Sequence, residues 1–207
     1  MAGLVEPFDE AKYNDNATVA ENLLFGTPVG ADFDIENLAD SPYVREVLDR
    51  VGLTPDLLEM GRQVAAIMIE LFSGLDPGHE FFDQFSFIEA EDLIEFQAVL
   101  GRVTKEGLEN LSNDDRNRLL SLPFKLIPAR HRLDQIDDDM RERLLTARRT
   151  FAAELPEALE SSVEFFDAEK YNAAASLQDN ILFGKVAYGQ AHSAERVGAM
   201  IAEVVDE

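Results

Sequence analysis

Residues 8–26 read Phe-Asp-Glu-Ala-Lys-Tyr-Asn-Asp-Asn-Ala-Thr-Val-Ala-Glu-Asn-Leu-Leu-Phe-Gly. At a constant offset of 158, residues 166–184 read Phe-Asp-Ala-Glu-Lys-Tyr-Asn-Ala-Ala-Ala-Ser-Leu-Gln-Asp-Asn-Ile-Leu-Phe-Gly. Ten of these nineteen positions are identical. Chance gives roughly one or two, so the segment is duplicated. Val5-Glu6 and Val163-Glu164 extend the match upstream. The spacing is too long for a solenoid, so the copies are two arms that frame an insert or pair in space.

Each copy has its own physical logic. Thr18 followed by Glu21 forms a capping box, and Ser176 with Asp179 approximates one, so each opens a short helix. Gly26 and Gly184 follow the last apolar pair and fit a left-handed helix end. Asn22 and Asn180 fall inside the helix, where asparagine is mildly unfavourable, so each is expected to make a specific hydrogen bond. The Lys-Tyr-Asn triplet reads as a turn, its tyrosine packed on the helix with the hydroxyl on a polar group. The copies are packing devices, or they form a docking surface for another domain or chain. In the second case Asn22, Phe25, Asn180 and Phe183 are the contact residues.

Between the arms, helix signals dominate. Ser41-Pro42 and Thr54-Pro55 each place proline at a helix start. Val44, Val47, Leu48 and Val51 recur at helical spacing, and Leu57, Met60, Val64, Ile67, Met68 and Leu71 form a wide apolar stripe ended by Gly74 and Pro77. Further faces are Leu93–Val103, Leu119-Leu120 after Ser112, and Met140, Leu144, Phe151, Leu155 and Leu159 after three aspartates at 137–139. Pro156 kinks or divides that last helix. Leu122–Pro128 reads as an irregular connection, and Ser193 opens a final helix burying Val197, Met200, Ile201 and Val204. Phe81, Phe82, Phe85 and Phe87 read as core, with a weak strand signal at Phe85–Ile88. The expected fold is all-α, mainly a helical bundle with at most a short strand or hairpin. It is expected as one helical domain over residues 1–207, the arms 8–26 and 166–184 framing a helical insert at 41–163.

Composition limits function. There are 41 acidic and 18 basic residues, a formal net charge of −23, so nucleic acid is an unfavourable partner. No cysteine is present, which excludes disulfides and thiolate chemistry and fits a cytoplasmic setting. The longest apolar stretch, Val64–Phe72, is interrupted by Glu70 and falls far short of the roughly 20 residues a bilayer requires, so no direct membrane span is expected.

The stretches Ala17–Gly26 and Ser176–Gly184 resemble a segment of ABC transporter ATPases. In that family Thr/Ser-Ile/Val-x-Glu-Asn-Ile/Leu-Leu-Phe/Tyr-Gly follows the Q-loop and leads into the helical subdomain before the Leu-Ser-Gly-Gly-Gln signature. Arg196–Asp206 looks like the helix that precedes the signature. The resemblance covers about a third of the chain. Residues 54–160 match nothing in an ordinary helical subdomain and would be an enlarged insert of an atypical branch. The sequence departs from the family in having no phosphate loop, no Walker B strand, no assignable Q-loop glutamine and no signature.

The resemblance implies a helical subdomain fragment that couples nucleotide state to a transmembrane or partner domain, with no enzymatic activity alone. Its first partner would be the nucleotide-binding core of the same protein, ATP and Mg being held only in flanking parts and no cofactor in this chain. The alternative is a stand-alone acidic helical interaction or adaptor protein.

Other site signals are weak. His79, Glu80 and Asp83 lack a second histidine at helical spacing, so no metal site is expected. Carboxylate pairs are unavoidable with this composition, and no serine forms a nucleophile elbow, so no catalytic residue is assigned. Lys125, Arg130, Arg132, Arg141, Arg143, Arg148 and Arg149 concentrate seven of the 18 basic residues in 25 positions. The island pairs internally, or Arg130, His131 and Arg132 contact a partner.

Overall fold

The structure, a computed structural model, describes residues 3–76, 79, 80, 82, 88 and 90–205, with the side chains of 90, 204 and 205 excepted. It is mostly helical. Two compact units form, one of Met1–Ile35 with Ile127–Glu207, the other of Glu36–Leu126. The separate unit is therefore shorter than the expected insert at 41–163. Residues 127–163 belong with the arms because their main helix packs there.

In the unit of the arms, β1 (Val5–Pro7), α1 (Val19–Leu24) and β2 (Gly26–Pro28) make the first copy. After the insert, β3 (Val163–Phe165) opens the second copy. Two antiparallel two-stranded sheets join the copies crosswise, β1 with the strand β4 (Gly184–Val186) that follows the second copy's helix, and β2 with β3. Val5 faces Val186 and Pro7 faces Gly184; Val163 faces Pro28 and Phe165 faces Gly26. Under the 158-residue offset these registers are the same, so the copies are related by a pseudo-two-fold exchange of strands.

These sheets exceed the single strand or hairpin that the sequence led us to expect. Three-residue strands carry no readable alternation, and their partners lie at opposite ends of the chain. Pro7 and Pro28 are tolerated because both occupy non-hydrogen-bonded positions of their ladders, where no N–H is required.

The second copy's helix is α8 (Leu177–Leu182). Between the copies, α6 (Pro128–His131) and α7 (Asp138–Ala153) complete this unit, and α9 (Ser193–Val205) closes it. Asp137 caps α7 by accepting from the Met140 N–H at 2.8 Å, with two more aspartates in the first turn. The helix stops before Pro156, which caps a separate 3₁₀ turn, Glu157–Ser162. α7 packs across α1, burying Leu144, Leu145, Ala147 and Phe151 against Val19, Leu23 and Leu24 of the same core. Val197 is buried in α9, while Met200 and Ile201 are half-buried; the Val204 side chain lies outside the description.

The second unit holds α2 (Pro42–Arg50), α3 (Thr54–Phe72), α4 (Ala90–Glu106) and α5 (Asn113–Lys125). α3 is central and packs on both α4 and α5. Its stripe Leu57, Met60, Val64 and Met68 is buried as the spacing implied, whereas Leu71 is exposed. The helix α5 continues to Lys125, so of the stretch Leu122–Pro128 that reads as irregular only Leu126 and Ile127 are extended, with Pro128 opening α6. Pro123 removes one backbone donor, the one that would reach the Leu119 carbonyl, and Gly61 of α3 packs against that carbonyl so closely that any Cβ would strike it. Phe82 packs on Phe72 with ring centroids 4.7 Å apart. Phe81, Phe85, Phe87, Pro77 and Asp83 lie outside the described residues, and so does the strand signal at 85–88 apart from Ile88, which is buried at a bend.

Candidate functional site

The duplicated arms build the same hydrogen-bonded frame twice. The Asn22 side chain accepts from the Asn14 N–H at 2.8 Å and donates to the Asn14 carbonyl at 2.9 Å. Asn180 does the same to Asn172, at 2.8 Å both ways. One side-chain amide thus replaces a ladder partner for a buried backbone, which explains asparagine inside each helix. Asn14 and Asn172 in turn donate to the carbonyls of Glu6 and Glu164, at 3.2 and 3.1 Å, tying each turn to its leading strand.

Both helices begin as expected. Thr18 and Glu21 form the full reciprocal box, while Ser176 caps the Asp179 N–H at 3.0 Å and its hydroxyl donates to the shorter Asp179 carboxylate.

Their ends differ from expectation. The left-handed residues are Phe25 and Phe183, with φ of 45° and 41°, not the glycines after them. Gly26 and Gly184 instead face Phe165 and Pro7 across the ladders, where a Cβ would collide with backbone. A Cβ on Gly26 would stand 2.7 Å from the Glu164 carbonyl oxygen, and one on Gly184 would strike that of Glu6. The left-handed turn drives both phenylalanines inward. Phe8 stacks on Phe166, and both Phe25 and Phe183 meet that pair edge-on, closing a four-ring cluster between the arms.

One residue breaks the symmetry. Arg148 of α7 is buried and spreads its guanidinium over the first arm. Its Nε donates to the Asn22 carbonyl at 2.6 Å and its Nη2 to Asn22 Oδ1 at 3.0 Å. Its Nη1 donates to the carbonyls of Glu10 and Lys12 at 2.9 and 3.0 Å and lies 3.3 Å from that of Asp9. The charge also lies 4.6 Å from the Phe25 ring centre. Burial pulls its pKa down to about 10, which leaves it protonated at neutral pH.

In the sequence Arg148 stands as one of the seven members of the basic island. Its spacing from Leu144 and Phe151 places it on the apolar face of α7, and that was the available signal. Tyr13 is buried, but the polar partner expected for its hydroxyl is missing among the described residues.

The second arm has the same frame without the cover. Tyr171, Leu177 and Ile181 are 66, 60 and 40% exposed; their counterparts Tyr13, Val19 and Leu23 are 9, 0 and 0% exposed. Among the described residues no arginine reaches the carbonyls of Asp167, Ala168, Lys170 or Asn180.

The basic island disperses into separate pairings. Lys125 bonds Glu36, Arg141 bonds Asp15 and Asp138, and Arg143 approaches Asp139. Arg130 lies over the Tyr188 ring at 5.8 Å. Arg132 has φ of 49° and ends α6. His131 is buried, accepts from the Ile127 N–H at Nδ1, and is held neutral by burial and by neighbouring Arg130, its pKa down to about 4. Of the three, His131 is buried, Arg130 half-buried and Arg132 exposed.

Among the described residues no group of three potential metal ligands forms, and no helix is long and apolar enough to cross a membrane. Comparison with protein families, curated proteins and solved structures found no match.

Proposed function

We propose that this chain is the helical coupling segment of an ABC-type ATPase, acting through protein contacts rather than chemistry of its own. The observation that carries it is the contrast between the arms. Both segments that resemble the ATPase stretch, 17–26 and 176–184, fold into one frame, yet only the first has its apolar face covered. A capped helix held rigidly by an asparagine clamp, with tyrosine, leucine and isoleucine outward, is suited to docking a neighbour. Nucleotide chemistry would lie in the flanking core, and the arms would transmit its state to a transmembrane or partner domain.

The adaptor alternative rests on the net charge of −23, which favours a cationic partner surface. The native reading frame separates the two. A phosphate loop upstream and a signature motif downstream support the ATPase segment, and a frame without them supports the adaptor. Calorimetric titration of this chain with ATP and Mg is expected to give no heat of binding, and micromolar affinity would contradict the proposal.

A further inference from the structure

We infer that the second arm is a receptor for an α-helix that presents a single arginine between aliphatic or aromatic residues, supplied from outside the described residues. This rests on the arms being docking surfaces, but not on the ATPase assignment.

The first arm shows what such a surface takes. It is covered by α7, with Leu144 and Leu145 one turn before Arg148 and Phe151 one turn after it. The guanidinium fills a cup of carbonyls made by the turn at 9–12 and by Asn22, with the Phe25 ring as its floor.

The second arm repeats the backbone frame of that cup, with Gln178 standing where the first arm buries Ala20. Lys170 N–H closes the turn on the Asp167 carbonyl at 3.1 Å, as Lys12 closes on Asp9 at 3.1 Å. The Asn180 amide bonds the Ser176 carbonyl at 3.0 Å, as Asn22 bonds Thr18 at 3.0 Å. Phe183 takes the left-handed conformation of Phe25. The apolar rim is kept as Tyr171, Leu177 and Ile181, all exposed.

A lysine would not serve as well. A point-like ammonium reaches fewer of these diverging carbonyls, while the planar guanidinium has five donors and a face that lies on the ring. The net charge of −23 also favours a cationic ligand. The α7 helix of a second copy is already committed to its own first arm, so the occupant is a different helix.

The probe is a peptide of residues 137–154, which carries α7 with its cap, added to the methyl-labelled chain and followed by NMR. Saturable shifts at Leu177 and Ile181 are expected. An Arg148→Ala peptide should bind roughly tenfold more weakly or worse, and Ile181→Asp in the chain, at an exposed position, should abolish the shifts while leaving the spectrum of the folded core intact. No shift at the second arm, equal binding of the arginine-free peptide, or shifts confined to Val19 and Leu23 of the first arm would overturn the inference. So would self-association that protects Leu177 without peptide, which would make a second copy the occupant. ATP binding, or a reading frame without a phosphate loop, would end the ATPase proposal and leave this result standing.

Discussion

Phe8 and Phe166 stack face to face, their ring centres 4.1 Å apart and their planes within 9°, at corresponding positions of the two copies. This meeting of corresponding residues agrees with the two-fold relation seen in the strand registers. The crossed strands, the paired asparagine clamps and the left-handed phenylalanines follow the same relation. Arg148 departs from it: one arm is completed from within the chain and the other is left open.

Arg148 is the largest single anchor of the first arm. Arg148→Met should lower stability by about 3–5 kcal/mol, because it strands several buried carbonyls. Arg148→Lys should recover little of that, since the fork geometry is lost. Urea unfolding measures both, and a loss below about 1 kcal/mol for the methionine variant would contradict the assignment.

The two asparagine clamps should differ in cost. Asn22 is buried and also receives Arg148, whereas Asn180 is half-buried and lacks that donor. Asn22→Ala is expected to cost about 2–3 kcal/mol and Asn180→Ala about 1 kcal/mol, as fewer groups are left unsatisfied. Equal costs in thermal or urea melts would refute the asymmetry.

Glycine at 26 and 184 answers to close approach, not to backbone handedness. Gly26→Ala and Gly184→Ala should each destabilise by about 1–3 kcal/mol through overpacking. Gly198→Ala, in α9 with nothing near its Cβ, should be stabilising by about 0.5–1 kcal/mol. Calorimetric Tm shifts of opposite sign are the expected result.

His131 gives the unit of the arms a pH dependence. Its folded-state pKa lies near 4, below the ordinary 6.5, so the unfolded chain takes up the proton first. Stability should be complete above about pH 6.5 and fall as the pH drops toward 4, by at most about 1.4 kcal/mol per unit. Urea melts at pH 7 and pH 5 test this, with His131→Gln expected to flatten the difference.

Much of this was readable from residues alone. The duplication, the Thr18 and Ser176 caps, the asparagine bonds and the stripe on α3 all rest on local spacing, which sequence displays directly. The β1–β4 and β2–β3 pairings are non-local and three residues long, so no period marks them. Glycine usually takes the left-handed conformation, which points to Gly26 and Gly184; a cross-strand contact, invisible in sequence, claims the glycine and moves the turn to Phe25 and Phe183. Arg148 sat in plain view at the spacing of Leu144 and Phe151, masked by the basic residues around it. The exposure of Tyr171 and Ile181 could not be read at all, because their residue types match those of the buried copy.

Crosswise strand exchange is the claim on which the rest depends, and a chain without cysteines allows a clean test of it. Val5→Cys with Val186→Cys places two cysteines directly opposite in a non-hydrogen-bonded pair, and Val5→Cys with Pro28→Cys pairs the strands of one arm. Under mild oxidation the first pair should form an intramolecular disulfide rapidly and the second should not. A disulfide that forms within one arm and fails across the two would contradict the account.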